Sequence, residues 1–151
     1  MFDSYYKHPL FRPGDKKKYR ERWYNAENGM ENDIYKKVLA LIEEGAGKHF
    51  LNYAFYRDEL PILEDDLDLK GFKVWRLEKD FVGSGDTFRG IDFSYGDFWH
   101  SKFKNAVFQS CALNFATFYN CSFEKCAFVF TNSLGAKFEN CKFLDSEFPE
   151  R

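Results

Sequence analysis

The sequence predicts a mainly β fold, a solenoid, with a helical region ahead of it. Three observations carry this. From residue 88 onward an apolar residue recurs at every fifth position. A small residue stands two places before most of those centres. The first 66 residues lack this rule and carry helix-start and helix-stop signals instead. A length of 151 residues fits one domain, or one domain with a small appendage.

The helical elements come first. Asp15 is placed to cap a segment over residues 16–24. Asn32 is a good N-cap, with Asp33 in the first turn. Ile34, Val38, Leu41 and Ile42 then form one apolar face, and Gly45 is placed to end the helix. A further helix is expected over 48–59, with Phe50, Tyr53 and Ala54 on one face and Pro61 as its stop. Residues 1–66 are therefore expected to be a helical cap, covering the open end that a solenoid presents.

Residues 67–85 read as a degenerate first coil. Leu67, Phe72, Leu77 and Val82 are five apart but one residue out of register with the pentads after them. The positions two before them, Asp65, Lys70, Trp75 and Asp80, are not small. Gly83-Ser84-Gly85 is the expected joint.

The regular repeats span 86–150. Their centres are Phe88, Phe93, Phe98, Phe103, Phe108, Leu113, Phe118, Phe123, Phe128, Ser133, Phe138, Phe143 and Phe148. Of the chain's 19 Phe, 13 lie in residues 88–151. A period of five fits no straight element. On a helix, five steps of about 100° carry the side chain roughly 140° around the axis. On a strand, side chains alternate with period two, and five is odd. Every centre stays inside only if the chain turns once per pentad and winds on itself. The small residue two before the centre also points inward, near a corner where bulk would collide.

Cys121-Ser122-Phe123-Glu124-Lys125, Cys126-Ala127-Phe128 and 136–143 (Ala136, Phe138, Cys141, Phe143) resemble the pentapeptide repeat proteins. The resemblance implies a right-handed quadrilateral β-helix with four pentads per coil, here about three to four coils. Residues twenty apart would stack. The expected interior ladders are Phe88-Phe108-Phe128-Phe148, Phe98-Phe118-Phe138, Phe103-Phe123-Phe143 and Phe93-Leu113-Ser133. At Ser133 either a hydroxyl is buried or the register slips and Leu134 fills the gap.

No signal peptide is visible, and no apolar run reaches the length of a membrane span. The expectation is a cytoplasmic protein with reduced thiols and no membrane contact. Cys111, Cys121, Cys126 and Cys141 all stand at the small interior position, so packing is the expected role. Cys121 and Cys141 would be stacked neighbours, where a disulfide or metal pair is conceivable. No zinc-type spacing is present. His8, His49 and His100 are scattered, without a nucleophile or carboxylate at a motif spacing. No catalytic residue, cofactor or metal is therefore expected, and the chain is not read as an enzyme.

Lys16, Lys17, Lys18, Arg20 and Arg22 form a basic cluster with Tyr19 and Trp23 interleaved. A phosphate backbone or an acidic partner is one use for it, and a solvated helix face is the plainer one. The whole chain has a net charge of −2, so nucleic acid is not the favoured partner. Trp99, Tyr119, Phe115 and Phe130 fall on outward positions of pentads. They are candidate docking residues, either for the helical region or for another protein. Phe143 and Phe148, in the last coil at 139–148, are candidates for an end-to-end homodimer that buries two open ends.

The functional expectation is a non-enzymatic scaffold working through protein–protein contact. The alternative is the DNA mimicry of some pentapeptide repeat proteins, which bind gyrase and protect it from quinolones. Those rods are long and strongly acidic. Residues 86–151 here hold eight acidic and seven basic residues.

Overall fold

A computed structural model describes residues 15–43, 62–63, 66–83 and 87–147 of the protein. It is a β-solenoid of about four turns with two short helices on its N-terminal side. The helices are α1 (Asp15–Glu21) and α2 (Asp33–Glu43). The expected helix over 48–59 and the joint at 84–85 lie outside the described residues, as does Phe148.

Asn32 caps α2 as its sequence suggests. Its side-chain oxygen accepts from the Tyr35 backbone N–H at 2.9 Å. Tyr35, Val38, Leu41 and Ile42 are the buried face, while Ile34 is only partly covered. Helix α1 stops at Glu21, short of the expected 24. Trp23 and Tyr24 close tight turns back to Arg20 and Glu21, and Tyr24 then bridges to Glu31. The Trp23 indole N–H donates to the Lys70 carbonyl at 2.9 Å, which fixes the chain there.

The strands are β1 (Ile62–Leu63), β2 (Asp66–Asp68), β3 (Lys73–Trp75), β4 (Glu78–Asp80), β5 (Phe88–Arg89), β6 (Ile91–Asp92), β7 (Asp97–Trp99) and β8 (Lys102–Lys104). They continue as β9 (Val107–Gln109), β10 (Thr117–Tyr119), β11 (Ser122–Glu124), β12 (Ala127–Val129), β13 (Lys137–Glu139) and β14 (Lys142–Leu144). They sort into four walls with the orders β1-β2-β6, β3-β7-β10-β13, β4-β8-β11-β14 and β5-β9-β12. All pairings are parallel except β1 with β2. Asp92, Ala112 and Asn132 carry the first wall onward through bridges.

From β6 on, the stacking is twenty residues. Phe98, Phe118 and Phe138 lie over one another at 4.5 and 4.6 Å between ring centroids. Phe88, Phe108 and Phe128 follow at 4.9 and 4.8 Å, and Phe103, Phe123 and Phe143 at 5.4 and 4.9 Å. Ser133 is buried in register, with the Leu113 N–H bonded to the Asn132 carbonyl at 2.6 Å. Of the two readings of that position, the buried hydroxyl holds.

The turns have one cause. The residue two after each centre takes a left-handed conformation at every corner from Gly90 to Asp145. Gly and Asn occupy several corners, at Gly90, Asn105, Asn120, Gly135 and Asn140, where that backbone costs little. Tyr95, Phe115 and Phe130 adopt it as well.

The small interior residue also has a polar task. The thiols of Cys111, Cys121, Cys126 and Cys141 donate to the carbonyls of Phe88, Phe98, Phe103 and Phe118. Thr131 and Ser146 hydroxyls do the same to Phe108 and Phe123. Cys111, Cys121 and Cys126 are buried, Cys141 is only partly so, and all four are free thiols. Burial pushes the Cys126 thiol up from its ordinary pKa, and the neighbouring Cys141 together with burial does so at Cys121.

The first coil departs from the expected register. Val74 pairs with Phe98 and Lys79 with Phe103, a stacking of twenty-four residues. Leu67, Phe72 and Leu77 therefore occupy the position two before the centre, opposite Ile91, Gly96 and Ser101. Val82 is 71% exposed and outside the core. Trp75, assigned from the sequence to an inner position, points outward and is 54% exposed. Large side chains fit at the inner corners of this coil because helical residues cover them. Phe72 meets Trp23 edge-on at 5.1 Å and Tyr35 stacked at 4.5 Å.

Candidate interaction surface

The wall β3-β7-β10-β13 carries two outward rows. One holds Lys73, Asp97, Thr117 and Lys137; the other holds Trp75, Trp99, Tyr119 and Glu139. Helix α1 docks on the middle of the first row, at Asp97 and Thr117. Lys16 Nζ lies 2.7 Å from Asp97 Oδ1 and 3.4 Å from the Thr117 hydroxyl. Arg20 reaches Asp97 Oδ2 at 3.1 Å. Asp97 is buried in this contact. Tyr19 stacks on Tyr95 at 5.3 Å, and Tyr95 lies 5.3 Å from Phe115.

Arg22 grips Asp68 with both terminal nitrogens, at 2.8 and 3.1 Å. Burial opposes ionisation of Asp68. The Arg22 hydrogen bonds, the Lys70 backbone N–H and the Lys70 charge outweigh it and hold the carboxyl below its usual range. Lys70 is buried in part, which works against its charge, yet Asp92 at 3.0 Å and Asp68 raise its pKa.

These contacts correct two expectations. The basic cluster is divided: Lys16, Arg20 and Arg22 are paired with Asp97 and Asp68, while Lys17 and Lys18 are exposed. Phe115 is not outward. It is 3% exposed, because its ring packs beside Tyr95, which is in turn stacked under Tyr19.

Trp99 and Tyr119 do remain exposed, at 37% and 39%, and they pair directly across β7 and β10. Among the described residues no hydrogen bond, ion pair or ring contact joins them to α1 or α2. Trp75 stands beside Trp99 and extends the row to three aromatics, a member the sequence reading missed. The signal for it was the twenty-four-residue offset, which is invisible when the first coil is read at five-residue spacing from Leu67.

Two cations flank this row. Lys73 Nζ sits 4.7 Å from the Trp75 ring and 5.1 Å from the Trp99 ring. The Arg76 guanidinium is 5.4 Å from Trp75. Neither has a carboxylate partner among the described residues. At the far end, Glu139 is paired with Lys137 at 3.1 Å. His100 meets Tyr119 edge-on at 5.5 Å, and Asn120 links His100 to Asn140 along the corner.

The remaining candidates are dispersed. Phe130 is 83% exposed but stands at the corner after β12, on a wall not adjacent to this one. Phe143 is half-buried against Phe123 and Phe128 in the last described coil. The neighbouring wall β4-β8-β11 alternates in charge, with Glu78–Lys102 at 3.4 Å and Lys104–Glu124 at 3.5 Å.

Four stacked walls, one left-handed corner per pentad and an aromatic interior define a repeat solenoid. Residues 88–124 match the model of the family Pentapeptide repeats (8 copies), and that stretch lies within the solenoid. The same register runs on to β14. No curated protein matches the chain. Among the described residues, no helix is long and apolar enough to cross a membrane.

Proposed function

We propose that this repeat scaffold works through protein–protein contact and that the contact is made on the Trp75, Trp99, Tyr119 row. One observation carries the reading. Three large aromatics stand exposed in a line on a wall where β7 and β10 are paired in parallel on both sides and β3 on one. Aromatic side chains held rigidly lose little entropy on binding and are enriched in interface anchors. Helix α1 leaves this row open while it engages Asp97 and Thr117 of the adjacent one. The DNA-mimic reading draws no support from the charge pattern, since the β4-β8-β11 wall alternates in sign.

A photo-crosslinking residue tests this. Tyr119 is replaced by benzoylphenylalanine in the full chain, and the cells that express it are irradiated. Protein adducts are expected from position 119 and not from the same reporter at Glu124. Equal adducts from both walls, or none from 119, would overturn the reading. A gyrase supercoiling assay tests the rival, and inhibition at micromolar concentration would favour it.

A further inference from the structure

We infer that the occupant of this row is a short extended segment of a partner protein, acidic at one end and apolar at the other. The inference rests on the docking role proposed above and adds the chemistry of the partner.

Size gives the first argument. Four rungs at about 4.8 Å make a strip roughly 15 Å long, and a three-residue strand is about 10 Å wide. That is on the order of 150–200 Å², far below the ~800 Å² per partner of a standard interface between folded proteins. A folded domain or a second copy would gain little from this strip alone. An extended chain, rising about 3.3 Å per residue, covers it with roughly five residues.

Charge gives the second argument and sets the direction. Lys73 and Arg76 lie over the Trp75 ring and have no carboxylate partner among the described residues. Lys73 is partly buried between the two indoles and Arg76 is exposed beside Trp75, so an incoming carboxylate finds two unpaired cations at that ring. Among the described residues the Tyr119 end offers no unpaired cation beside the row, because Lys137 is engaged by Glu139. Carboxylates therefore sit at the Trp75 end, and aliphatic or proline side chains sit on Trp99 and Tyr119. A nucleic acid fits less well. Its phosphates would meet two cations and then the Glu139 carboxylate, where a phosphate track needs a continuous basic stripe.

The probe is a fluorescein-labelled peptide of four glutamates followed by alternating proline and leucine. Its control carries four lysines in place of the glutamates. Anisotropy on the full chain should show the glutamate peptide binding about tenfold tighter than the lysine peptide. Lys73→Glu should remove that preference without changing the melting temperature, and about 0.5 M salt should weaken it. Trp99→Ala should weaken both peptides. Equal binding of the two peptides, or a preference that survives Lys73→Glu, overturns the inference. Tighter binding of a short oligothymidylate, or a dimer in light scattering that Trp99→Ala dissolves, also overturns it. If crosslinks form at 119 but map to partner segments without carboxylates, the partner chemistry falls and the docking role stands. If no crosslinks form there, both fall.

Discussion

Replacing Gly71 with alanine should lift α1 from the solenoid while leaving the coils intact. Gly71 has φ +78°, and a Cβ built there would lie 2.4 Å from the Tyr19 carbonyl carbon and 2.6 Å from the Arg20 nitrogen. Ordinary contact begins near 3.4 Å, so the helix backbone must retreat by about 1 Å. Backbone atoms cannot swing aside as a side-chain tip would. A retreat of that size takes Lys16–Asp97 from 2.7 Å and Arg22–Asp68 from 2.8 Å beyond hydrogen-bond reach. The left-handed conformation adds about 1–2 kcal/mol for any residue with a Cβ. Overpacking adds about 1–3 kcal/mol, so the total is ~2–5 kcal/mol. Gly29→Ala is the control, because Gly29 has φ +70° and nothing within 4 Å of its Cβ. It carries the backbone strain without the collision. Urea melts give the stability, and hydrogen exchange read by mass spectrometry gives the location. Exchange should rise in residues 15–24 and stay slow in β10 and β11 for Gly71→Ala alone. Equal losses for the two variants, or unchanged protection of α1 in Gly71→Ala, would refute the docking of α1 at Gly71.

Other outcomes follow from the same geometry. Phe118→Ala, between two stacked rings, should cost about 3–5 kcal/mol, and Lys104→Ala on the exposed wall should stay within roughly ±0.5 kcal/mol in the same melts. Asp68 has a lowered folded pKa, so its stabilisation is present above the unfolded carboxylate value of about 3.9 and is lost as pH falls through the lower folded value. Asp68→Asn should therefore lower the urea midpoint at pH near 7 and leave it nearly unchanged in strong acid. A thiol reagent should reach Cys141 before Cys121 or Cys126, because Cys141 is only partly buried. Reductant should leave the melting temperature unchanged, since the thiols are free.

The sequence by itself determined the solenoid. A five-residue period has one geometric solution, and twelve apolar centres in thirteen pentads leave no competing pattern. The ladders at twenty residues needed one thing more, the four sides per coil that the resemblance to pentapeptide repeat proteins implies, since the period gives only that each pentad makes one side. The cap of α2 was legible in Asn32 for a similar reason: it is a local contact within a few residues. What only the tertiary structure decided involved contacts between distant segments. The first coil stacks at twenty-four residues, and large Phe72 fits at an inner corner there because Trp23 and Tyr35 of the helical region pack on it. In this register Val74 is the centre, so Trp75 falls one place after it, at an outward position, and not two places before a centre. Phe115 is inside because Tyr95, itself under Tyr19 of α1, covers it, whereas Phe130 has the same left-handed corner and no such cover and is 83% exposed. The basic cluster looked open in sequence because Asp97 and Asp68 lie 81 and 46 residues from the Lys16 and Arg22 they hold. Local patterning sets what repeats, whereas long-range charge pairing and packing at the solenoid's end set which surface is left free.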